Sequence, residues 1–293
     1  VGFDTSLNPY RGCEHGCSYC YARPTHEYLG YSAGQDFESR ILVKEQAPEL
    51  LRRELASPRW QPRVIALSGV TDCYQPVERR LGLTRACLEV LADCRNPVII
   101  ITKNHTVTRD ADLLAELARH EAAAVYLSIT TLDGDLARRL EPRASPPTRR
   151  LAAIRELAAA GVPAGALFAP VIPGLNDHEG PAILAVAAEA GASFAGWTML
   201  RLPHGVSSLF EEWLTVHEPL KKEKVLSQIR EMRGGRLNDP EFGSRMRGQG
   251  ALAEQTRALL RLAALKCGLT KRGPELSTAS FRRPSGDQLR LFG

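Results

Sequence analysis

An α/β architecture of repeated strand–helix units is what the sequence predicts, on two observations. Short, nearly continuous apolar runs rich in β-branched residues recur as far as Leu202, and between them lie longer stretches whose apolar positions repeat with a helical period. Runs that are apolar on both faces are expected of parallel strands covered by helices. With a first strand near Thr5 to Tyr10, six such units are complete by about residue 214. Six suits an open parallel barrel better than a closed eight-stranded one, while a doubly wound sheet has the same periodicity and stays open at this point.

Val64 to Ser68 reads as the second strand, followed by a helix from about Leu83 to Asp93 with Ala86, Leu88, Val90 and Leu91 as its buried stripe. Pro97 to Thr102 is the next strand, and the Thr108 and Asp110 region starts a helix across Ala111 to Arg119. Ala123 to Ile129 is a strand, Pro147 to Ala160 a helix closed by Gly161, and Ala164 to Ile172 a strand. Pro181 to Glu189 is a helix with Gly191 beyond it, and Phe194 to Leu202 the sixth strand.

Beyond Pro203 the pattern changes. Leu209 to Leu214 closes a short helix, Pro219 to Arg233 is amphipathic with Val225, Ile229 and Met232 on one stripe, Gly234 to Asp239 forms a turn, and Ala251 to Cys267 is again helical. Gly273 to Gly293 is rich in Ser, Pro, Gly and Arg and reads as a flexible tail. These shifts divide the chain into residues 1–214, a mostly helical extension 215–270 and a tail 271–293.

At 293 residues, 44% hydrophobic and 24% charged, the chain is long enough for one large core. A net charge of +5 is only mildly basic and by itself a weak pointer to nucleic acid. Seven cysteines are an odd number, and neither a signal peptide nor an apolar run of about 18 residues is evident, so a soluble protein of the reducing cytoplasm, without membrane contact, is expected. The chain opens on Val1, which leaves room for a preceding segment and makes its first residues unsuitable for assigning a target.

Cys13, Cys17 and Cys20 lie three and two residues apart in a polar, glycine-containing loop. Thiolates so close in a chain without secretory features hold iron or zinc more often than they form disulfides. A structural zinc needs a fourth ligand, for which His15 and His26 are the nearby imidazoles; three thiolates on a four-iron cluster leave one iron open to an exogenous ligand.

The C-x3-C-x2-C spacing, with aromatic Tyr19 directly before the last cysteine, resembles the cluster motif of the radical S-adenosylmethionine (SAM) enzymes. The resemblance implies a [4Fe-4S] cluster whose free iron chelates SAM, and reductive cleavage of SAM to a 5'-deoxyadenosyl radical. It also implies an electron donor of flavodoxin or ferredoxin type and a partial (β/α)6 TIM-type barrel, with the cluster after the first strand at the open C-terminal face. Ser68 to Glu78, Ile101 to Lys103, Ser128 to Thr130, Leu140 to Arg143 and Ala169 to Asp177 resemble, in order, segments of proteins related to spore photoproduct lyase, a group often labelled DNA-repair-photolyase-like.

On that likeness the strand-end residues receive roles. Ser68 and Gly69 would meet the amino acid end of SAM, with Asp72 in place of the common Gly-Gly-Glu carboxylate or, alternatively, capping its loop. Lys103 and Ser128 would hold SAM, with Thr130 near the ribose. Arg143 would serve SAM or a phosphate, or else pair with Glu141. Ala169 and Pro170 would shape the adenine pocket and Tyr19 would lie against adenine or cluster, while Asn176 and Asp177 would cap the helix near Pro181. Cys73 and Tyr74 are the candidate hydrogen-atom donors. Spore photoproduct lyase itself places a cysteine soon after its cluster motif, whereas Ala22 to Tyr31 contains none and offers only Tyr28 and Tyr31, a departure that counts against the lyase reaction. Cys87, Cys94 and Cys267 read as helix-core residues. No second C-x2-C motif is present, which disfavours the auxiliary-cluster classes.

In the extension, Phe242 to Gly250 alternates arginine with small residues in a way that suits phosphate or forms a connector, and the region is expected to wall the open side of the barrel. The tail ends in Gln288 to Phe292, which resembles the motif by which bacterial polymerases and repair proteins dock on the DNA sliding clamp. The expected function is a radical SAM enzyme acting on nucleic acid, in DNA repair or modification. The alternatives are a small metabolite or peptide as substrate, or a non-catalytic iron–sulfur binding module.

Overall fold

The computed structural model describes residues 4–241 and 244–284. Phe242 and Gly243, at the start of the arginine–glycine stretch, and the clamp-like Gln288 to Phe292 lie outside the described residues.

Six parallel strands form the main sheet: β1 (Thr5–Leu7), β2 (Ile65–Leu67), β3 (Val98–Thr102), β4 (Ala123–Ser128), β5 (Ala164–Val171) and β6 (Phe194–Met199). Their spatial order is their sequence order, with β1 and β6 as the two edges. A doubly wound sheet reverses at a switch point. Here every crossover moves one strand in the same direction, so the helices fall on one side and the sheet is an open six-stranded barrel of the TIM type. Side chains alternate as the pleat requires. Val98, Ile100, Val125, Leu127 and Phe168 join the core beneath the helices, while Ile99, Ile101, Ala124, Tyr126 and Phe194 face the other way into a smaller cluster inside the barrel.

Around the sheet run α1 (Ala47–Ala56), α2 (Leu83–Cys94), α3 (Ala111–Ala118), α4 (Pro147–Ala159) and α5 (Gly180–Glu189). The extension adds α6 (Val206–His217), α7 (Lys222–Glu231) and α8 (Gly250–Lys266). It divides in space. α8 packs beside α5, with Leu260, Ala263 and Ala264 entering the main core. α6 and α7 instead sit over the C-terminal mouth, where Phe210, Trp213 and Val225 share a second cluster with Cys17, Tyr19, Leu140 and Ile172. None of the described helices is long and apolar enough to cross a membrane.

Local expectations fail where a polar side chain or a proline has other work. The predicted first strand, Thr5 to Tyr10, is two pieces: after Pro9, which lacks an N–H, Tyr10–Arg11 pairs antiparallel with Leu42–Val43. Asp110 precedes α3 without capping it, because its carboxylate accepts from Tyr74, Arg85 and Arg109. Asn176 is likewise no helix cap; it accepts from Ile172 N–H and donates to the carbonyls of Thr130 and Pro170, tying the loops after β4 and β5 together. The helix α1, with Leu51 and Leu55 buried four residues apart after Pro48 at its first turn, carries a start signal that the sequence analysis passed over.

The largest correction concerns the tail. Residues 273–284 are not free but are laid across the N-terminal mouth of the barrel. Thr270 bridges to Phe194 at the foot of β6, Gly273 N–H donates to Tyr126 Oη inside the barrel, and Ser277 N–H to Glu121 O before β4. Arg282 N–H then reaches Cys94 O, and the Arg283 guanidinium reaches Leu55 O and Trp60 O ahead of β2. Carbonyls left over at the C-terminal ends of α1 and α2 and in the loops before β2 and β4, with the Tyr126 hydroxyl, supply the partners that composition alone does not show.

Candidate active site

The loop after β1 carries the three thiols, and four polar side chains fix its shape. Gly12 and Gly16 adopt φ +83° and +66°, and a Cβ on Gly16 would collide with Glu38 Oε2. Buried Arg23 donates from Nε to Cys17 O at 3.0 Å, from Nη1 to Gly34 O at 2.8 Å and from Nη2 to Glu38 at 3.0 Å. Gln75 accepts from Glu14 N–H at 2.8 Å and donates to Gly12 O, while Thr71 donates to the same carbonyl. Arg23 and Gln75 were not anticipated; nothing in their sequence positions distinguishes them from surface residues.

Cys13, Cys17 and Cys20 line one side of a cavity of about 290 Å³ at the C-terminal mouth. Its other walls come from the strand ends: Ser68, Gly69 and Asp72 after β2, Thr102 and Lys103 at β3, Ser128 at β4, Ala169 and Pro170 in β5, and Met199 to Arg201 at β6. Met246 of the extension also lines it, its carbonyl accepting from Met199 N–H, so the extension does contribute a wall. Ser68 turns the chain at φ +84°, a left-handed conformation unusual for serine, with its hydroxyl accepting from Cys73 N–H. Asn8 Oδ1 accepts from both Gly69 and Val70 N–H, tying that turn to the end of β1.

The donor set fits an iron–sulfur cluster with an open iron. All three cysteines are free thiols facing the cavity. Burial pushes Cys17 up to about 12 and raises Cys13 and Cys20, so a metal group here must displace protons and is the natural counter-charge for the thiolates. The imidazoles that could close a zinc site are engaged. His15 lies 3.4 Å from Asp72 and from Asn104, and His26 contacts Arg40 O at 3.0 Å.

Below the cavity two buried carboxylates organise the strand ends. Asp72 accepts from Thr102 Oγ1 at 2.7 Å, Lys103 N–H at 2.8 Å and Tyr74 N–H at 2.9 Å. Burial alone would raise its carboxyl, but His15 and these donors hold it at about 2. Glu141 behaves alike: burial opposes the charge, and Arg150, Lys103 and Thr130 bring it down to about 2. It accepts from Tyr19 Oη, Thr130 Oγ1 and Arg150, and Arg150 also donates to Ser128 O at 2.9 Å.

Several expected site residues belong to these supports. Cys73 and Tyr74 are fully buried in the core beneath the helices, with Tyr74 Oη donating to Asp110 at 3.0 Å, so neither faces the cavity as a hydrogen-atom donor would. Thr130 points into the Glu141 network rather than at the cavity. Arg143 pairs with Glu38 and the Glu14 carbonyl on the outer side of the cysteine loop, and Glu141 takes Arg150 instead. Asp72 lines the cavity, yet both its oxygens already accept from protein donors. Tyr19, Ser68, Gly69, Lys103, Ser128, Ala169 and Pro170 are brought together as expected. Lys103 Nζ lies 5.9 Å from the Tyr19 ring centroid and makes no salt bridge among the described residues. Arg201 was missed, although asking of β6 what was asked of the other strand ends would have found it.

The family described as the Radical SAM superfamily matches residues 7–187. An uncharacterized protein of Mycobacterium tuberculosis is 36% identical over 248 residues, 84% of this chain and 72% of its own length. One of Methanocaldococcus jannaschii is 33% identical over 173 residues, 59% of this chain and 62% of its own. Among solved structures, a mutant of spore photoproduct lyase superposes with a TM-score of 0.67 at 16% identity, covering 92% of this chain and 78% of that one. Another, with bound AdoMet and dinucleoside spore photoproduct, gives 0.66 at 16% identity over 91% and 75%. At that identity the likeness is one of fold.

Proposed function

The chain belongs to the radical SAM superfamily, and from that premise we propose that its C-terminal cavity holds a [4Fe-4S] cluster and SAM and acts on a nucleic-acid-related substrate. The observation that carries the reading is the convergence on one cavity of three free thiols and Lys103, a cation without a salt-bridge partner among the described residues. Cys13, Cys17 and Cys20 would hold the cluster. When bound and reduced from outside by a flavodoxin- or ferredoxin-type donor, the cluster supplies the electron that cleaves SAM to methionine and a 5'-deoxyadenosyl radical.

The residues of this chain bind and orient. Lys103 offers its ammonium to the SAM carboxylate, and Ser128, whose carbonyl is fixed by Arg150, offers a hydroxyl beside it. Ala169 and Pro170, joined by a cis bond, give an apolar shelf for adenine, with Tyr19 fixed by Glu141 on the cluster side. Asp72 and Glu141, satisfied by protein donors, keep Lys103 and Ser128 at the cavity surface. A nucleic-acid substrate is supported by Arg201 in the cavity wall at β6 and by the fold shared with spore photoproduct lyase; the buried position of Cys73 leaves the lyase reaction without an identified cysteine donor.

The test is chromatography of anaerobic reactions containing reconstituted protein, dithionite and SAM. Slow formation of 5'-deoxyadenosine is expected without substrate, with Lys103→Ala weakening SAM binding and leaving cluster content intact. Protein with a full cluster that makes no deoxyadenosine would contradict the proposal.

A further inference from the structure

A guanidinium is costly to bury unless a carboxylate or a full set of acceptors meets it. The buried arginines of the scaffold obey this: Arg23 pairs with Glu38 and Arg150 with Glu141. Two arginines at the C-terminal mouth do not. Arg201, two residues beyond β6 and part of the cavity wall, directs Nη1 at Met246 Sδ, 3.5 Å away, while its buried Nε has no partner among the described residues. Arg233, 6% exposed and just beyond α7, donates Nη2 to Leu200 O and leaves Nη1 buried with no partner among the described residues.

Neither forms a salt bridge among the described residues. The acid nearest in influence to Arg233 is Asp239, whose carboxylate is occupied by Glu241 N–H at 2.9 Å and by Ser244. Burial lowers both guanidinium pKa values; Arg245 adds to this at Arg201, and at Arg233 Asp239 opposes it more than Arg201 adds to it. The Tyr21 ring covers one face of Arg201 at 5.3 Å and is itself fixed by donating from Oη to Gly69 O at 2.6 Å. Arg201 stands in the cavity wall, and Arg233, bonded to the carbonyl of its neighbour Leu200, lies directly behind it; among the described residues neither has a carboxylate within salt-bridge distance.

We propose that Arg201 and Arg233 form an anion site that holds a phosphate group of the substrate. The site lies at β6, three strands from Lys103 at β3, so it is separate from the group assigned to the SAM carboxylate. Two guanidiniums present several donors to one tetrahedral oxyanion, the geometry in which arginine outperforms lysine. The assignment deepens the proposed function and rests on it for what happens after binding; the anion site itself is measurable without turnover. The phosphate has two sources, an internucleotide diester or the terminal group of a free nucleotide, and the chemistry of recognition is the same.

Calorimetry on reconstituted protein with SAM present tests the site, using deoxynucleoside 5'-monophosphates, the matching nucleosides and a short single-stranded oligonucleotide. Wild type should bind the monophosphate or the oligonucleotide more tightly than the nucleoside. Arg201→Gln should lose about tenfold of that affinity, the scale of one charged hydrogen bond, with SAM affinity and iron content unchanged. Arg233→Lys, which keeps a donor for Leu200 O, should weaken phosphate binding in the same direction and guards against simple misfolding. Sensitivity of the oligonucleotide to Arg201→Gln assigns the site to a diester, and sensitivity of the monophosphate alone assigns it to a free nucleotide. Three results would overturn the proposal: no preference for phosphate over nucleoside in wild type, phosphate affinity untouched by Arg201→Gln, or an equal loss of SAM affinity in that variant. Loss of deoxyadenosine formation from wild type with phosphate binding intact would contradict the radical chemistry alone.

Discussion

At the N-terminal mouth of the barrel, residues 270–284 run from the foot of β6 to the approach to β2 mainly on hydrogen bonds to backbone carbonyls, so polar groups left over by helix ends and loops are taken up. At the C-terminal mouth the same strands end around a cavity of about 290 Å³, where Lys103, Arg201 and three free thiols stand without a salt-bridge partner among the described residues. The difference lies one layer down. The C-terminal mouth stays open because Asp72, Glu141, Arg150 and Asn176 brace its loops from beneath, leaving Lys103, Ser128 and Arg201 at the surface of the cavity. A closed mouth contributes stability, and an open one needs buried polar support that contributes position.

The sharpest way to break this contrast is Glu141→Gln. It leaves Arg150, 1% exposed, without its counter-charge, and a loss of about 3–5 kcal/mol is expected in denaturant unfolding. Pairing it with Arg150→Met should recover much of that loss, because no charge then remains buried. The same network sets an acid limit. Asp72 and Glu141 are held at about 2 in the folded chain against ordinary values of 3.8 and 4.5, so the unfolded chain binds more protons in between. Their contribution is therefore complete above those ordinary values and disappears as pH falls toward about 2. Circular dichroism across that window should show the wild type unfolding at lower pH than Asp72→Asn.

Gly273→Val attacks the other mouth. A Cβ there would stand 2.6 Å from Tyr126 Oη, and a destabilisation of about 1–3 kcal/mol is expected from overpacking, with SAM affinity unchanged. Loss of SAM binding in that variant would mean that the two mouths are not independent. The smallest effect on stability belongs to Lys103→Ala, which should leave the melting temperature near wild type and weaken SAM binding about tenfold in calorimetry.

What the sequence made legible follows the same division. Parallel strands buried on both faces write themselves as apolar runs, and the cysteine spacing is a local pattern, so the sheet and the thiol loop could be read directly. Side-chain direction beyond a strand end could not. Ser128 faces the cavity, while Thr130, two residues later and past the end of β4, turns beneath it toward Glu141; Cys73 and Tyr74 follow β2 yet fold back into the helix-facing core. Alternation holds only while the pleat lasts. Arg201 and Arg233 carry no local signal, since an arginine reads the same whether it meets a carboxylate or leaves donors over. The segment from Gly273 looked like a tail because its partners, one tyrosine hydroxyl and otherwise backbone carbonyls, are scattered over residues 55–126.

The central claim, that this open mouth binds a cluster and SAM through Cys13, Cys17, Cys20 and Lys103, is tested most directly by electron paramagnetic resonance of the reconstituted, dithionite-reduced protein with and without SAM. Wild type with about four irons and four sulfides per chain should give a reduced-cluster signal that changes when SAM is added, and Lys103→Ala should need more SAM for the same change. A chain that retains zinc without sulfide, or a cluster signal that saturating SAM leaves unaltered, would contradict it.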